Sequence, residues 1–321
     1  MDIYIDETNL ESFLSQKENA LFPDILKLLK QQLNIKFNFS KNRLKENEKL
    51  SAIIPALTSG VANTVTTFDN TFPNRPLKTN SAIHFNSEQL SSIYWIDDSD
   101  GYKLVGAGAV LIALLGEEIN ETKKLFFNQD DYIFHKRWRI GEVGFQNWND
   151  LRSFSLPLTD IIIGDPYILS KKNGDDTIHN LYEAIDVLTN LSFNKVRIVL
   201  FANPDFISYD LNDVVKELKN ILNASTGKSC SVTIIKTSKE HDRTIITNYK
   251  RLKAGDSFTF WNNQGILLSK GKELDYESLC HNENYKYLKL RINDFQKILD
   301  FTKGNNPDNI IGDKTSGFLN F

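Results

Sequence analysis

Between residues 159 and 247 the chain alternates short, almost wholly apolar runs with amphipathic ones, and few folds accept that alternation. Asp160-Ile-Ile-Ile-Gly-Asp-Pro-Tyr-Ile-Leu169, Lys195-Val-Arg-Ile-Val-Leu-Phe201 and Ser231-Val-Thr-Ile-Ile235 are rich in β-branched residues, as strands covered on both faces must be. Between them, residues 180–191 and 211–222 carry apolar side chains at helical spacing. Thr244-Ile-Ile-Thr247 reads as a fourth strand and residues 292–301 as a closing helix ahead of a Gly/Asn/Asp-rich tail. This order predicts an α/β domain over residues 151–321, beginning after Trp148-Asn-Asp150.

Residues 1–150 read as an α+β domain of unassigned role. Residues 2–6 predict a strand, Thr8-Asn-Leu-Glu11 has capping-box form ahead of a helix, and residues 21–33 continue at helical spacing. Residues 36–90 are polar, broken by Pro55, Pro73 and Pro76, and predict loops with short elements between them. Ile93-Tyr-Trp-Ile96 predicts a strand, and the apolar run 105–115 predicts core. Gly106-Ala-Gly108 lacks the third glycine of a dinucleotide fingerprint. Asp6 and Glu7 after a strand, and Asp97, Asp98 and Asp100 in a turn, are acids that a metal could use; a helix N-terminus and a hairpin explain them without one. Tyr132-Ile-Phe-His-Lys-Arg-Trp-Arg139 mixes cationic and aromatic residues, which fits either nucleic-acid contact or an amphipathic strand burying Phe134 and Trp138.

A length of 321 residues favours two domains, and 40% hydrophobic with 25% charged residues is ordinary globular usage. The net charge of -3 excludes a generally basic coat but not a local basic groove. Cys230 and Cys280, without a C-x-x-C, support neither a disulfide framework nor structural zinc, so no cofactor or metal is expected and a reducing cytoplasm fits best. No secretion signal or membrane span is expected, which makes a membrane an improbable partner.

The chemistry concentrates in residues 241–258. His241-Asp-Arg243 and Asn248 stand at H-x-R-x4-N spacing around a short strand, with Lys250, Arg251 and Lys253 close behind. Imidazole is a competent nucleophile near neutral pH, and a guanidinium fork holds phosphate oxygens bidentately. Strand ends are where open α/β sheets place ligands, so Asp165 and Tyr167 are expected to converge with His241 and Arg243. The alternative is structural: His241 hydrogen-bonds a carboxylate such as Asp165 and locks strand ends together.

The strand order, Asp165-Pro-Tyr167, His241-Asp-Arg-Thr-Ile, Asn248-Tyr and Gly255-Asp-Ser-Phe258 together resemble the phospholipase-D-like fold over about half of the chain. The variant is similar to the C-terminal domain of MIT-domain proteins and related bacterial domains. That resemblance implies a mixed-sheet domain and a phosphate site with His241 as nucleophile and Arg243 in place of the family's lysine. Asn248 stands where the family has aspartate, and a neutral amide cannot support an imidazolium as a carboxylate does. Such enzymes pair two histidine motifs; His179 lies too soon after the first strand to mimic one, and His281 lacks the following basic residue and strand. The resemblance therefore implies a non-catalytic module that binds phosphate or nucleic acid within a prokaryotic antiviral defence assembly, with a protein partner or a second copy. A metal-independent homodimeric phosphodiesterase or nuclease using His241, and a purely structural adaptor, are the alternatives.

Overall fold

The computed structural model describes residues 1–58, 66–68, 89–96, 111–126, 134–192, 195–226, 230–269 and 271–321. They form two compact units, Met1–Phe134 with Leu279–Tyr285, and His135–Ser278 with Lys286–Phe321.

In the first unit, β1 (Asp2–Ile5), β2 (Asn34–Phe37), β3 (Thr66–Phe68), β4 (Ile93–Trp95) and β5 (Leu111–Ala113) make a sheet of order β3-β2-β1-β4-β5. Every pairing in it is parallel, so this unit is α/β and not the α+β domain anticipated. Parallel neighbours need crossovers, and helices α1 (Glu7–Ser15) and α2 (Phe22–Gln31) supply the one from β1 to β2. Phe13 of α1 stacks on Phe22 at 4.5 Å and tilts against Trp95 at 5.1 Å, while Ile25, Leu28 and Leu29 bury the inner face of α2.

Among the short elements expected between the loops of residues 36–90 are three helices, α3 (Lys41–Glu46), α4 (Glu48–Ser51) and α5 (Ile53–Thr58), which follow β2. Two polar residues of this segment are caps. The Ser40 hydroxyl accepts from Arg43 N, and the Asn47 side chain accepts from Lys49 N and Leu50 N. The capping box anticipated at Thr8 is unused, because α1 already begins at Glu7 after Asp6. Helix α6 (Glu118–Thr122) follows β5. Its buried Glu118 accepts from Asn9 Nδ2 at 2.9 Å and Gln16 Nε2 at 2.8 Å, which ties α6 to α1.

The second unit is built on a mixed sheet of order β13-β9-β8-β7-β10-β11-β12-β6. Its strands are β6 (His135–Arg139), β7 (Asp160–Gly164), β8 (Arg197–Ala202), β9 (Ser231–Lys236), β10 (Thr244–Ile246), β11 (Lys250–Ala254), β12 (Glu273–Ser278) and β13 (Ile310–Gly312). Strands β7, β8 and β9 are parallel, and their apolar runs are buried throughout; the remaining pairings are antiparallel. Because β6 pairs with β12, the unit starts at His135, earlier than residue 151.

Helix α7 (His179–Thr189) connects β7 to β8, and α8 (Leu211–Thr226) connects β8 to β9. Helix α9 (Asn282–Asn305) runs 24 residues, well beyond residues 292–301. Its stripe of Leu288, Phe295 and Leu299 is interrupted by Arg291, which is buried as an ion pair and breaks the apolar period. Gly164 at the end of β7 lets α9 approach: a Cβ there would lie 2.8 Å from Phe295 and 3.1 Å from the Glu240 carboxyl carbon.

Candidate phosphate site

The segment from β9 to β10 carries His241, Asp242 and Arg243, and a buried carboxylate fixes its shape. Glu240 Oε1 accepts from Asp242 N at 2.8 Å and from Arg291 Nη2 at 2.9 Å. Burial raises the Glu240 pKa, opposed first by the Arg291 charge. Arg291 Nη1 lies 3.6 Å from Asp242, so one helical arginine pins the carboxylates on both sides of His241.

The β7–β10 register pairs Gly164 with Thr244, which puts Asp165 and Arg243 one residue beyond that pair on adjacent strands. They sit at the carboxyl ends of the parallel strands, the usual ligand side of an open α/β sheet. Asp165 is fully buried. Its Oδ1 accepts from Tyr167 N at 2.9 Å, and its Oδ2 accepts from Ser257 Oγ and Phe258 N, both at 2.8 Å. Burial lifts its pKa to about 6, against the pull of those three hydrogen bonds and of the Arg243 charge. The locking bond considered for His241 and Asp165 is not formed. His241 is exposed and hydrogen-bonds none of the described residues.

Arg243 lies 5.5 Å from the Tyr167 ring, and that ring packs on Phe206 at 4.6 Å. Its Nε is buried and donates to none of the described residues. On the neighbouring strand, Arg251 and Lys253 alternate with Lys250 and Leu252, so the first two share one face. Arg251 donates Nε and Nη2 to Glu277 and stacks on Tyr287 at 4.0 Å, but its buried Nη1 has no acceptor. Lys253 is exposed and forms no ion pair among the described residues.

Arg243, Arg251 and Lys253 meet in a cleft of about 120 Å³, walled also by Asp242, Gly255 and Tyr287. Three cations thus face one space, with Glu277 as the only carboxylate hydrogen-bonded to any of them among the described residues. An anion with several oxygens is the complement of such a donor set.

Of the sequence candidates, His241, Asp165 and Tyr167 do not line the cleft, and Asn248 and Lys250 lie away from it altogether. Asn248 is buried at the opposite end of β7, where its Oδ1 accepts from Thr159 N at 2.9 Å and Asp160 N at 3.1 Å. A five-residue strand, roughly 16 Å long, separates it from the Asp165 end, so the His-Arg-Asn constellation is not assembled. Lys250 points to the other face of the sheet and is buried with its Nζ 5.5 Å from the Tyr276 ring.

The cationic strand β6 is the amphipathic edge strand rather than a free basic surface. Trp138 is buried, while His135 and Arg137 both contact Asp275, at 2.9 and 2.6 Å. Asp6 accepts from Asn38 Nδ2 at 2.8 Å and Glu7 pairs with Arg43; Asp97, Asp98, Asp100, Gly106 and Gly108 lie outside the described residues. Among the described residues no cluster of three or more His, Cys, Asp or Glu could hold a metal, the two cysteines form no disulfide, and no helix is long and apolar enough to cross a membrane. Tyr287, Glu277 and Arg291 escaped the sequence reading because they come to Arg251 and Glu240 from a strand and a helix far along the chain, and nothing beside His241 marked Glu240 as buried.

The fold and the cleft together define an α/β protein whose second unit carries a cationic site at the carboxyl end of its parallel strands. No family model and no curated protein matches the chain. Among solved structures, TrmBL2, an archaeal chromatin protein whose structure is described as showing a novel mode of DNA binding, aligns with 11% identity and a TM-score of 0.30. The alignment covers 56% of this chain and 58% of that one, and a likeness of this grade carries no argument about fold or function.

Proposed function

We propose that the second unit is a phospholipase-D-like module that binds a phosphate-bearing partner, nucleic acid, without cleaving it. The observation that carries this reading is the convergence of Arg243, Arg251 and Lys253 on one cleft, with one buried nitrogen on each guanidinium lacking an acceptor among the described residues. A buried donor without a partner costs about 1–3 kcal/mol, which a phosphate oxygen would relieve. The non-catalytic form is supported by the placement of Asn248 away from His241 and by the absence of His241 from the cleft lining. A role in a prokaryotic defence assembly, a protein partner or second copy, and a cytoplasmic location rest on the sequence resemblance and composition alone.

The test is anisotropy of labelled DNA and RNA with wild type, Arg243→Ala/Lys253→Ala and His241→Ala, run alongside cleavage assays in EDTA. Binding that weakens about tenfold in the double variant and persists in His241→Ala, with no cleavage, is expected. Metal-independent cleavage lost in His241→Ala would replace this reading with the phosphodiesterase. Unchanged binding in the double variant would remove the cleft from it.

A further inference from the structure

Resting on that reading, the geometry points to a more specific ligand: the cleft receives the terminal phosphomonoester of a single nucleic-acid strand, with the first bases lying on the tyrosines at its rim. Three observations lead there.

The first is size. Pockets that enclose a nucleotide-sized ligand run from about 300 to 1,000 Å³, whereas this cleft measures about 120 Å³. It holds one charged group and leaves the rest of the ligand outside.

The second is charge. Arg243, Arg251 and Lys253 bring three cations; Glu277 is engaged by Arg251, while Arg291 is shared between Glu240 and Asp242. An excess of positive charge remains, and the number of donors distinguishes the forms of phosphate. A phosphomonoester carries about -1.5 to -2 at pH 7 and offers three terminal oxygens, while an internal diester carries a single charge and offers two. The donors are the guanidinium groups of Arg243 and Arg251 and the Lys253 ammonium, which line the cleft from β11 and from the residue that precedes β10.

The third is what borders the cleft. Arg251 is stacked on Tyr287, which remains 39% exposed, and Arg243 lies over Tyr167, whose neighbour Phe206 is likewise 39% exposed. Each guanidinium therefore has an accessible aromatic surface beside it. Rings next to phosphate-binding cations are the arrangement that stacks unpaired bases. A duplex end opens only the outer face of its terminal pair, whereas a single strand can splay successive bases onto the rings, so a single strand is the better occupant.

The experiment compares one oligonucleotide sequence in five forms: 5′-phosphorylated, 3′-phosphorylated, hydroxyl at both ends, closed single-stranded circle, and 5′-phosphorylated duplex. Each is titrated by anisotropy against wild type, Arg243→Ala/Lys253→Ala and Tyr287→Leu. A phosphorylated single strand should bind about tenfold more tightly than the hydroxyl-ended strand or the circle, and the double variant should bring that preference below about twofold. Tyr287→Leu should weaken every single-stranded form while keeping the preference for a terminal phosphate. Both residues of the double variant are at least partly exposed, and a melting curve verifies its fold. Circle and phosphorylated strand binding equally would overturn end recognition while leaving nucleic-acid binding intact. A duplex binding as tightly as the single strand would overturn the stacking. Binding of none of the five would take the broader reading down with it.

Discussion

Arg251 and Glu277 stand opposite each other in the β11–β12 register, and the guanidinium directs Nε and Nη2 at a single carboxylate oxygen. The third nitrogen, Nη1, is buried without an acceptor, and the Tyr287 ring lies 4.0 Å from the guanidinium carbon. Glu277 therefore orients Arg251 without saturating it. One nitrogen is left without an acceptor among the described residues, and the carboxylate holds the cation in place.

Removing the carboxylate should be costly, because it strands a buried charge. Glu277→Ala is expected to lose about 3 kcal/mol in urea unfolding, the cost typical of breaking a buried pair from one side. Millimolar inorganic phosphate should restore part of that loss by taking the place of Glu277, whereas chloride at equal ionic strength should not. Arg251→Met/Glu277→Leu should be close to wild type in stability, since an apolar pair of similar volume fills the same space, but should show no stabilisation by phosphate. A double variant as unstable as Glu277→Ala would contradict this account.

Asp165 sets a pH dependence whose sign follows from burial. Its pKa rises from the ordinary 3.8 to about 6 in the folded protein, so the native state holds the proton more tightly than the unfolded chain. The stabilisation from this group is full below about pH 4 and is lost as pH climbs through 6. Asp165→Asn should flatten that part of the stability profile. It should also lower stability at every pH, because an amide has one oxygen to face three donors, Tyr167 N, Ser257 Oγ and Phe258 N. Thermal melts of the two proteins from pH 4 to 8 check both statements.

The parallel strands β7, β8 and β9 and the helices between them were legible because an apolar run of five or six residues between turn signals admits few other readings. Arg243, Arg251 and Lys253 were legible as a basic group, since they lie within eleven residues of one another. What the sequence could not show was facing. Lys250 and Arg251 are neighbours in the chain, yet strand alternation sends one beneath the sheet and the other into the cleft. Spacing likewise placed Asn248 with His241, but an extended chain of seven residues carries it to the far end of the sheet. In the first unit, polar residues 40 and 47 resembled loop because capping and loop use the same residue types.

Asn248 should behave as a structural residue. Its Oδ1 satisfies two buried backbone donors, Thr159 N and Asp160 N, and its Nδ2 donates to Thr159 Oγ1 at 3.1 Å. Asn248→Ala should therefore cost about 2–4 kcal/mol in equilibrium unfolding. Below its melting temperature the variant should bind nucleic acid as wild type does. A loss of binding at unchanged stability would return Asn248 to the site.

Gly164 couples the sheet to the loop that carries Arg243. A methyl group there would meet the Phe295 ring at 2.8 Å and the Glu240 carboxyl at 3.1 Å, and neither neighbour is free to retreat. Phe295 is buried against Phe201 at 4.6 Å, and Glu240 is held by Arg291 and by the Asp242 amide. Overpacking of this kind costs about 1–3 kcal/mol, so Gly164→Ala should destabilise by that amount. The strain has two outlets with different consequences. If the ring yields, Phe295→Leu should recover most of the stability and phosphate binding should be unaffected throughout. If the carboxylate yields, the Asp242 amide loses its acceptor, the loop through Arg243 shifts, and binding should fall even where Phe295→Leu restores the fold. The carboxylate is the tighter-held group, with two hydrogen bonds against the looser packing of the ring on Phe201 and Arg291, so the first outcome is expected. Unfolding curves and anisotropy on the single and double variants distinguish the two.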